Sequence, residues 1–160
     1  MNIAYLLTGG NLGDRVKNLN DAEQVLNRQC GTVIKKSSLY ETAAWGNTNQ
    51  PAFLNQAIAI ETKLDAEQLI HRILKIEKNM GRIRKEKYGP RLIDIDILLF
   101  NNDTVDLPFL KIPHPEMQNR RFVLIPLAEI AAEIIHPVLH KSISKLLTEC
   151  KDESEVKKCP

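Results

Sequence analysis

The sequence has few of the features that mark secreted, zinc-bound or membrane-embedded proteins. Its three cysteines, Cys30, Cys150 and Cys159, are far apart and form no C-x-x-C pair, so neither a zinc site nor a disulfide framework is indicated. They favour free thiols in a reducing compartment. No apolar run approaches the roughly 20 residues of a membrane span. The first segment, MNIAYLLTGG, also lacks the basic start and long apolar core of a signal peptide. We therefore expect a cytoplasmic protein without a membrane partner.

The chain also has little excess of positive over negative charge. The formal net charge of the 160 residues is only +2, which is too small for bulk electrostatics to indicate a nucleic-acid partner. With 43% hydrophobic and 26% charged residues, the composition is that of an ordinary globular protein, and the length fits one domain, 1–160. Residues 151–160, KDESEVKKCP, are polar and are expected to form a frayed tail.

Hydrophobic periodicity predicts the element order β-α-β-β-α-β over the first hundred residues. The predicted strands and helices span 2–8, 15–29, 32–42, 53–62, 66–80 and 89–100, with Asp14 and Asp65 as N-caps of the two helices. This order matches the split βαβ of the ferredoxin-like sandwich, an α+β fold with helices on one face of an antiparallel sheet. A C-terminal hairpin near 104–112 and helices near 122–132 and 142–150 are expected to complete the body.

The chain is organised around the segment GPRLIDIDILLF, Gly89 to Phe100. Alternation places one set of side chains on one face, Ile93, Ile95 and Ile97, and a second set on the other, Asp94, Asp96, Leu98 and Phe100. Side chains two residues apart on a strand lie about 6.6 Å apart and point the same way, so Asp94 and Asp96 can converge on hard cations. The alternative is a solvated face of an antiparallel sheet. Aspartate is disfavoured in strands, which argues for a site.

A basic run precedes these carboxylates. The segment GRIRKEKYGPR carries five cations, Arg82, Arg84, Lys85, Lys87 and Arg91. Carboxylates for metal beside cations for phosphate are typical of a site that handles Mg-nucleotide. The glycines of GGNLG near the N-terminus fit neither phosphate-loop pattern, G-x-x-x-x-G-K-[ST] or G-x-G-x-x-G, and indicate a tight strand-to-helix turn instead.

Two further segments carry candidate ligand contacts. In AAWGNTNQPAFLN, Trp45 is either a packing plug or, with Phe53 and Phe122, an aromatic surface for a flat ring, and Asn55 offers a donor and an acceptor. In KIPHPEMQNRRF, His114 beside Arg120 and Arg121 is a candidate phosphate contact, although a lone histidine is usually structural. Glu77 is either a surface residue or a partner of the downstream arginines.

The sequence resembles the 6-hydroxymethyl-7,8-dihydropterin pyrophosphokinase family, which transfers pyrophosphate from ATP to a pterin alcohol in the folate pathway. The resemblance covers about residues 3–135. It is carried by GGNLGDR, YETAAWGNTNQPAFLN, IEKNMGRIRKEKYGPRLIDIDILLF and IPHPEMQNRRFVLIPLAEIAAE, in this order. The third segment, with Gly-Pro-Arg before Asp-x-Asp, is very specific.

The resemblance implies a role for each matching residue. It implies two Mg²⁺ ions held by Asp94 and Asp96, and ATP as co-substrate. Catalytic roles are implied for Arg82, Arg91, Asp94 and Asp96. The residues implied to contact ATP are Glu77, Arg82, Arg84, Arg91, Ile97, His114 and Arg120. The residues implied to contact the pterin are Thr42, Ala43, Trp45, Phe53, Asn55, Tyr88 and Phe122. The sequence departs from the family pattern at Gly10, Ala43, Leu74, Phe109 and Lys111, which bears on nucleotide affinity more than on chemistry. A monomer is expected.

Two other classes of protein stay open at this point. The ferredoxin-like fold also hosts regulatory and RNA-binding modules, but an RNA-binding module would show aromatics on its central strands, where this chain has carboxylates. A nucleotidyltransferase could use the same aspartates and would release pyrophosphate rather than AMP. Product analysis separates these classes.

Overall fold

The computed structural model describes residues 1–43, 49–81 and 92–160. Eight strands and four helices lie in these ranges. The strands are β1 (Asn2–Gly10), β2 (Thr32–Lys36), β3 (Tyr40–Thr42), β4 (Phe53–Thr62), β5 (Asp94–Phe100), β6 (Val105–Leu107), β7 (Leu110–Ile112) and β8 (Val156–Lys158). The helices are α1 (Arg15–Gln29), α2 (Ala66–Asn79), α3 (Arg121–Ala131) and α4 (Ile143–Glu149). Among these helices, none is long and apolar enough to cross a membrane.

The main sheet confirms the ferredoxin-like prediction. Its strand order is β5-β1-β4-β3-β8, with β2 also paired to β4, and all pairings are antiparallel. β1 therefore lies at the centre between β4 and β5, although all three are distant in sequence. β6 and β7 form the expected small hairpin.

Helices α1 and α2 begin where the sequence predicts. The side chain of Asp14 accepts a hydrogen bond from the N–H of Lys17, and Asp65 forms a capping box with Gln68. Each satisfies N–H groups that a helix leaves open at its first turn. The two caps therefore fix the residues at which both helices begin.

Helices cover both faces of the sheet. One core cluster joins α1 and α2 to residues such as Leu6, Ile58 and Ile95. The other packs α3 and α4 on residues such as Leu7 and Leu98. The four-strand, two-helix ferredoxin-like layer is thus extended by a second helical layer, and the open end between α3 and the sheet is where the site lies.

The predicted strand over 32–42 is divided into β2 and β3. Ser37 causes the interruption, because its backbone and side chain both bond Ala57: the Ser37 N–H donates to the Ala57 carbonyl at 2.9 Å, and the Ala57 N–H donates to Ser37 Oγ at 2.9 Å. The Gln56 side chain also donates to the Ser37 carbonyl. Side-chain bonds of this kind replace the regular ladder.

The expectation of a frayed C-terminal tail is wrong for residues 152–159. Val156, Lys157 and Lys158 form β8, which pairs with β3 at the edge of the sheet. The N–H of Cys159 also donates to the Leu39 carbonyl at 2.8 Å. The tail is polar because it covers an exposed edge, where backbone pairing rather than apolar burial provides the attachment.

A β-bulge divides β5 into two halves. Tyr5 pairs with Leu99 whereas Leu6 pairs with Ile97, so Leu98 is the extra residue. Leu98 and Leu99 consequently both pack in the α3 layer, and Phe100 packs in the α1–α2 layer. The prediction that Phe100 shares the face of the aspartates is therefore wrong, because strict alternation stops at the bulge.

A carboxylate ties α3 to the neighbouring strand. Glu129 accepts hydrogen bonds from the Tyr40 hydroxyl at 2.5 Å and from the Ser38 N–H at 2.9 Å. Burial, helped by Glu129, raises the pKa of Tyr40 to about 12. Burial raises the pKa of Glu129, but the bonds from Tyr40 and Ser38 lower it more, so its pKa lies below the ordinary value.

Replacing Glu129 with glutamine is expected to lower the free energy of unfolding by about 1 kcal/mol at neutral pH. Because the folded-state pKa is lowered, this stabilisation is present above the ordinary value of 4.5 and is lost as the pH falls through the folded pKa. Urea unfolding of both proteins at about pH 7 and about pH 3.5 measures it. Glu133→Gln, just beyond the same helix, is the control. An equal difference at both pH values would contradict the charge argument.

Candidate active site

A cleft opens between the ends of the central strands and the first turn of α3. Its empty volume, open solvent included, is about 650 Å³. Eight of the residues singled out in the sequence line it: Thr42, Ala43, Phe53, Asn55, Asp94, Asp96, Arg120 and Phe122. They lie in β3, β4, β5 and α3 or directly beside them, so only the fold brings them together.

Two lining residues, Leu7 and Gly9, were missed by sequence reasoning. Both lie on β1, and their importance comes from register. Gly9 pairs with Asn55 on one side and with Asp94 on the other, and Leu7 pairs with Ala57 and Asp96 in the same way. The sequence offers only a Gly-Gly pair at the end of an apolar strand, a signal that also fits a turn.

The row Asp94–Gly9–Asn55 forms the floor of the cleft. Adjacent strands lie about 4.8 Å apart, so a carboxylate and an amide face the cleft across a central position that has no side chain. A Cβ atom on Gly9 would lie 2.2 Å from Asn55 Oδ1 and 3.3 Å from the Leu54 carbonyl oxygen. Glycine is therefore required here by close approach.

Asn55 is held in a position suited to recognition. Asn55 is 5% exposed, and its buried Nδ2 has no hydrogen-bond partner among the described residues. A buried polar group without a partner costs stability, which is offset when a ligand supplies that partner. Phe53 and Phe122, which lie on other walls of the same cleft, supply apolar ring surfaces beside the amide.

The carboxylates of Asp94 and Asp96 fit a hard divalent cation. Both lie on the cleft face of β5 and are partly exposed. Within the described ranges no group of three or more His, Cys, Asp or Glu side chains is placed to hold a metal. Mg²⁺ commonly binds through one or two carboxylates, with the remaining positions filled by water and substrate phosphates. Two aspartates are thus a suitable protein contribution to such a site.

Glu77 supports the strand that carries these aspartates. It is 3% exposed, and its Oε2 accepts a hydrogen bond of 2.7 Å from the N–H of Ile95, the residue between Asp94 and Asp96. A charged acceptor on a buried N–H is among the stronger protein hydrogen bonds. The end of α2 therefore fixes the backbone from which both carboxylates project.

Replacing Glu77 with alanine is expected to lower the free energy of unfolding by about 1–3 kcal/mol, because the Ile95 N–H loses its buried partner. We also expect kcat to fall at least about tenfold in the protein that remains folded, because the carboxylates lose their fixed backbone. Chemical unfolding and steady-state kinetics measure the two effects. Glu67→Ala, in the exposed first turn of α2, is the control; normal kinetics in Glu77→Ala would refute the supporting role.

His114 is held as a neutral donor near the cleft. Burial and the neighbouring Arg120 lower its pKa, against opposing effects of Glu116 and Asp94. Its Nδ1 accepts a hydrogen bond from the Glu116 N–H at 3.2 Å, which leaves the neutral ring with its proton on Nε2. Arg120 lies at the same end of the molecule, with its guanidinium carbon 5.9 Å from the centre of the Phe122 ring.

The remaining candidate residues are Ile97 and five residues of which the structure says nothing. Trp45, Arg82, Arg84, Tyr88 and Arg91 lie outside the described residues. The side chain of Ile97 is 4% exposed and packs in the α1–α2 layer, on the face opposite the aspartates. It therefore contributes no side chain to the cleft.

The departures from the family pattern lie in different surroundings. Ala43 lines the cleft. Leu74 and Phe109 are exposed, and the Phe109 ring lies 5.6 Å from the ring of His71. Lys111 pairs with Asp106 across the hairpin. Gly10 is the last residue of β1, pairs with Leu54 and is not among the lining residues. Of the five departures, only Ala43 lines the cleft.

Comparisons with known proteins agree with one another. A model of the family described as 7,8-dihydro-6-hydroxymethylpterin-pyrophosphokinase (HPPK) matches residues 5–132. The 2-amino-4-hydroxy-6-hydroxymethyldihydropteridine pyrophosphokinase of Bacillus subtilis is 44% identical over 134 residues, which cover 83% of this chain and 80% of the relative. The protein of the same name from Aquifex aeolicus is 40% identical over 149 residues, covering 93% and 92%.

A solved structure supports the fold. Plasmodium falciparum HPPK-DHPS, crystallised with pterin and p-hydroxybenzoate, has a TM-score of 0.76 and 20% sequence identity. The match covers 92% of this chain and 43% of that longer chain. At this identity the likeness concerns the fold alone.

Proposed function

Because the chain belongs to the 7,8-dihydro-6-hydroxymethylpterin-pyrophosphokinase family, we propose that it transfers pyrophosphate from ATP to the hydroxymethyl group of 6-hydroxymethyl-7,8-dihydropterin, with release of AMP, in folate biosynthesis. The observation that carries the proposal is the single row Asp94–Gly9–Asn55. In this row the carboxylate of Asp94, suited to a metal ion that binds ATP phosphates, lies near the amide of Asn55, suited to hydrogen-bond the pterin ring.

The pterin is assigned to the Asn55 side of the cleft. The buried amide of Asn55 can pair with the donor and acceptor edge of the ring, and Thr42 lies on the adjacent strand β3. Phe53 and Phe122 would stack on its faces, and Ala43 borders the same space. Trp45 and Tyr88 are part of this proposal from the family resemblance.

ATP is assigned to the side of Asp94 and Asp96. The Nε2–H of His114 and the guanidinium of Arg120 are suited to bind phosphate oxygens. By resemblance, Arg82, Arg84 and Arg91 would add further cations, and of these Arg82 and Arg91 would be catalytic. Glu77 contributes through the Ile95 backbone, and Ile97 can contact nucleotide only through its own backbone.

Asp94 and Asp96 would hold the two Mg²⁺ ions of the proposal. Bound Mg²⁺ supplies neutralisation of phosphate charge and lowers the pKa of a coordinated alcohol. The chain itself positions the pterin hydroxymethyl oxygen in line with the β-phosphorus of ATP, and AMP leaves on the opposite side. Transfer of this kind depends on positioning and charge stabilisation, so no covalent protein nucleophile is needed.

A cytoplasmic monomer completes the proposal. All three cysteines are free thiols, which is typical of reducing compartments. Sedimentation of the purified protein at micromolar concentration tests the oligomeric state.

Product analysis tests the proposed reaction. The protein is mixed with ATP, Mg²⁺ and 6-hydroxymethyl-7,8-dihydropterin, and the nucleotides and pterins are separated. Pterin-dependent AMP, with both phosphates on the pterin, is the expected result. Free pyrophosphate would instead indicate nucleotidyl transfer. Absence of turnover in a folded protein that still binds pterin would indicate a binding module.

A further inference from the structure

Helix α3 begins at the cleft, but its N-cap residue provides no side-chain cap for the first turn. Arg120 is the N-cap residue, yet its side chain makes no capping hydrogen bond, and the first turn contains no acidic residue. A helix start has open N–H groups and a partial positive charge, which favour a nearby carboxylate. Because Arg120 and Phe122 both line the cleft, movement of this turn would displace two residues of the cleft wall.

Asp152 supplies the missing carboxylate from the other end of the chain. Its Oδ2 accepts a hydrogen bond of 2.9 Å from the N–H of Arg121, the first residue of α3. Its Oδ1 accepts from the N–H of Ser154 at 3.0 Å and from Ser154 Oγ at 2.6 Å. In return, Arg121 Nη1 donates to the Ser154 carbonyl at 3.2 Å.

The electrostatics of Asp152 agree with this capping role. Burial raises the pKa of the Asp152 carboxyl, but the bonds from Ser154 and from the Arg121 N–H lower it more. The pKa therefore lies below its ordinary value, and the group is ionised at neutral pH. A permanent negative charge is what a helix N-terminus favours.

The same C-terminal segment, residues 151–158, also binds the opposite wall of the cleft. β8 follows Asp152 closely, and its Val156 pairs with Thr42 while Lys158 pairs with Tyr40. Thr42 is a cleft residue on β3. One short segment therefore connects the α3 wall, which carries Phe122, to the β3 wall, which carries Thr42.

We propose that Asp152 is a positioning residue for the transfer reaction, because it holds the first turn of α3 in the orientation that directs Arg120 and Phe122 into the cleft. The inference rests on the proposed function. Asp152 does not itself line the cleft, so it acts through the Arg121 backbone. The C-terminal segment is thus a working part of the site.

A purely structural cap predicts a different kinetic result. Loss of stability alone reduces the amount of folded protein, which lowers the apparent kcat and leaves KM unchanged. Misplacement of Phe122 and Arg120 raises KM for pterin and for ATP in the protein that is folded. The division of the effect between KM and kcat therefore separates the two roles.

The test compares Asp152→Ala with Asp65→Ala. Asp65 caps α2 through a bond of 2.8 Å from the Gln68 N–H, at the helix end opposite Glu77, and is a matched loss of a capping carboxylate. We expect Asp152→Ala to raise both KM values by about threefold to thirtyfold, the factor that corresponds to a typical N-cap. Asp65→Ala should lower thermal stability to a similar degree with unchanged KM values.

Two further variants make the result decisive. Asp152→Asn keeps an oxygen that can accept from the Arg121 N–H and should restore most of the wild-type KM. If Asp152→Ala does not fold, Ser154→Ala, which removes one bond to Oδ1, should still raise KM measurably. Unchanged KM values in folded Asp152→Ala, or in Ser154→Ala where Asp152→Ala does not fold, would overturn the positioning role.

Phe122→Ala separates failure of this inference from failure of the proposed function. A raised pterin KM in Phe122→Ala, with normal KM values in Asp152→Ala, overturns only the role of Asp152. A normal pterin KM in Phe122→Ala overturns the placement of the pterin, and the inference with it.

Discussion

Replacing Asp96 with alanine is expected to lower kcat by a factor of at least about a thousand, because it removes one of the two carboxylates that are proposed to bind Mg²⁺. The fold should survive, since Asp96 is partly exposed on the cleft face and the apolar packing of β5 lies on the helix-covered surfaces. Rates of AMP formation at saturating ATP and pterin measure the effect. Circular dichroism and thermal unfolding establish that the variant is folded.

The control for Asp96→Ala is Asp103→Ala. Asp103 is exposed just after β5 and does not line the cleft. Its replacement removes the same charge from the same part of the chain. It should leave kcat and the dependence of rate on Mg²⁺ concentration unchanged. A near-normal rate in Asp96→Ala would refute the metal assignment, whatever the behaviour of the control.

Replacing Asn55 with alanine is expected to weaken pterin binding by about a hundredfold or more, because a site built to hydrogen-bond a ligand loses its buried partner. ATP affinity should change little, since Asn55 lies across Gly9 from the aspartate side. Titration calorimetry with pterin and with a non-hydrolysable ATP analogue, each alone, separates the two affinities. Equal weakening of both ligands would instead indicate a general collapse of the cleft.

Gln56→Ala is the matched control for Asn55→Ala. Gln56 is the next residue on β4, is also a buried amide at 6% exposure, and points to the opposite face of the sheet, where it bonds the Ser37 carbonyl. Its removal should reduce stability with little effect on pterin affinity. A loss of pterin affinity equal to that of Asn55→Ala would show that the effect comes from the strand rather than from the amide.

The sequence was sufficient where local rules decide the outcome. The two capped helices follow from Asp14, Asp65 and apolar spacing, and the ferredoxin-like order follows from the sequence of elements. Six of the eight cleft residues were identifiable from local signals, such as Asp94 within an apolar strand or Asn55 beside Phe53, whereas Thr42 and Ala43 were identified only through the family resemblance. Local signals of this kind need no knowledge of the partner strands.

What the sequence could not supply was register and long-range pairing. The role of Gly9 exists only because β1 lies between β4 and β5, and no local pattern indicates that it faces both Asn55 and Asp94. The attachment of the C-terminal segment is similar: Asp152 meets Arg121 across 31 positions of chain, and β8 is polar because backbone pairing holds it. Glu77 was noticed, but its bond to the Ile95 N–H depends on helix-to-strand packing.

The bulge at Leu98 has a consequence for which changes this strand can accept. On each side of the bulge, side chains of β5 alternate regularly between the two faces of the sheet. At Leu98 and Leu99 the alternation is interrupted, because both side chains lie on the same face. Substitution of either leucine by another apolar residue changes only volume. Regular pairing of β5 with both leucines kept would restore uninterrupted alternation along the strand. Either Asp94 and Asp96 would then face the α1–α2 layer, or Phe100 would face the α3 layer. The strand can therefore accept apolar substitutions between Asp96 and Phe100, but not a change that removes the bulge while the length of the strand is kept.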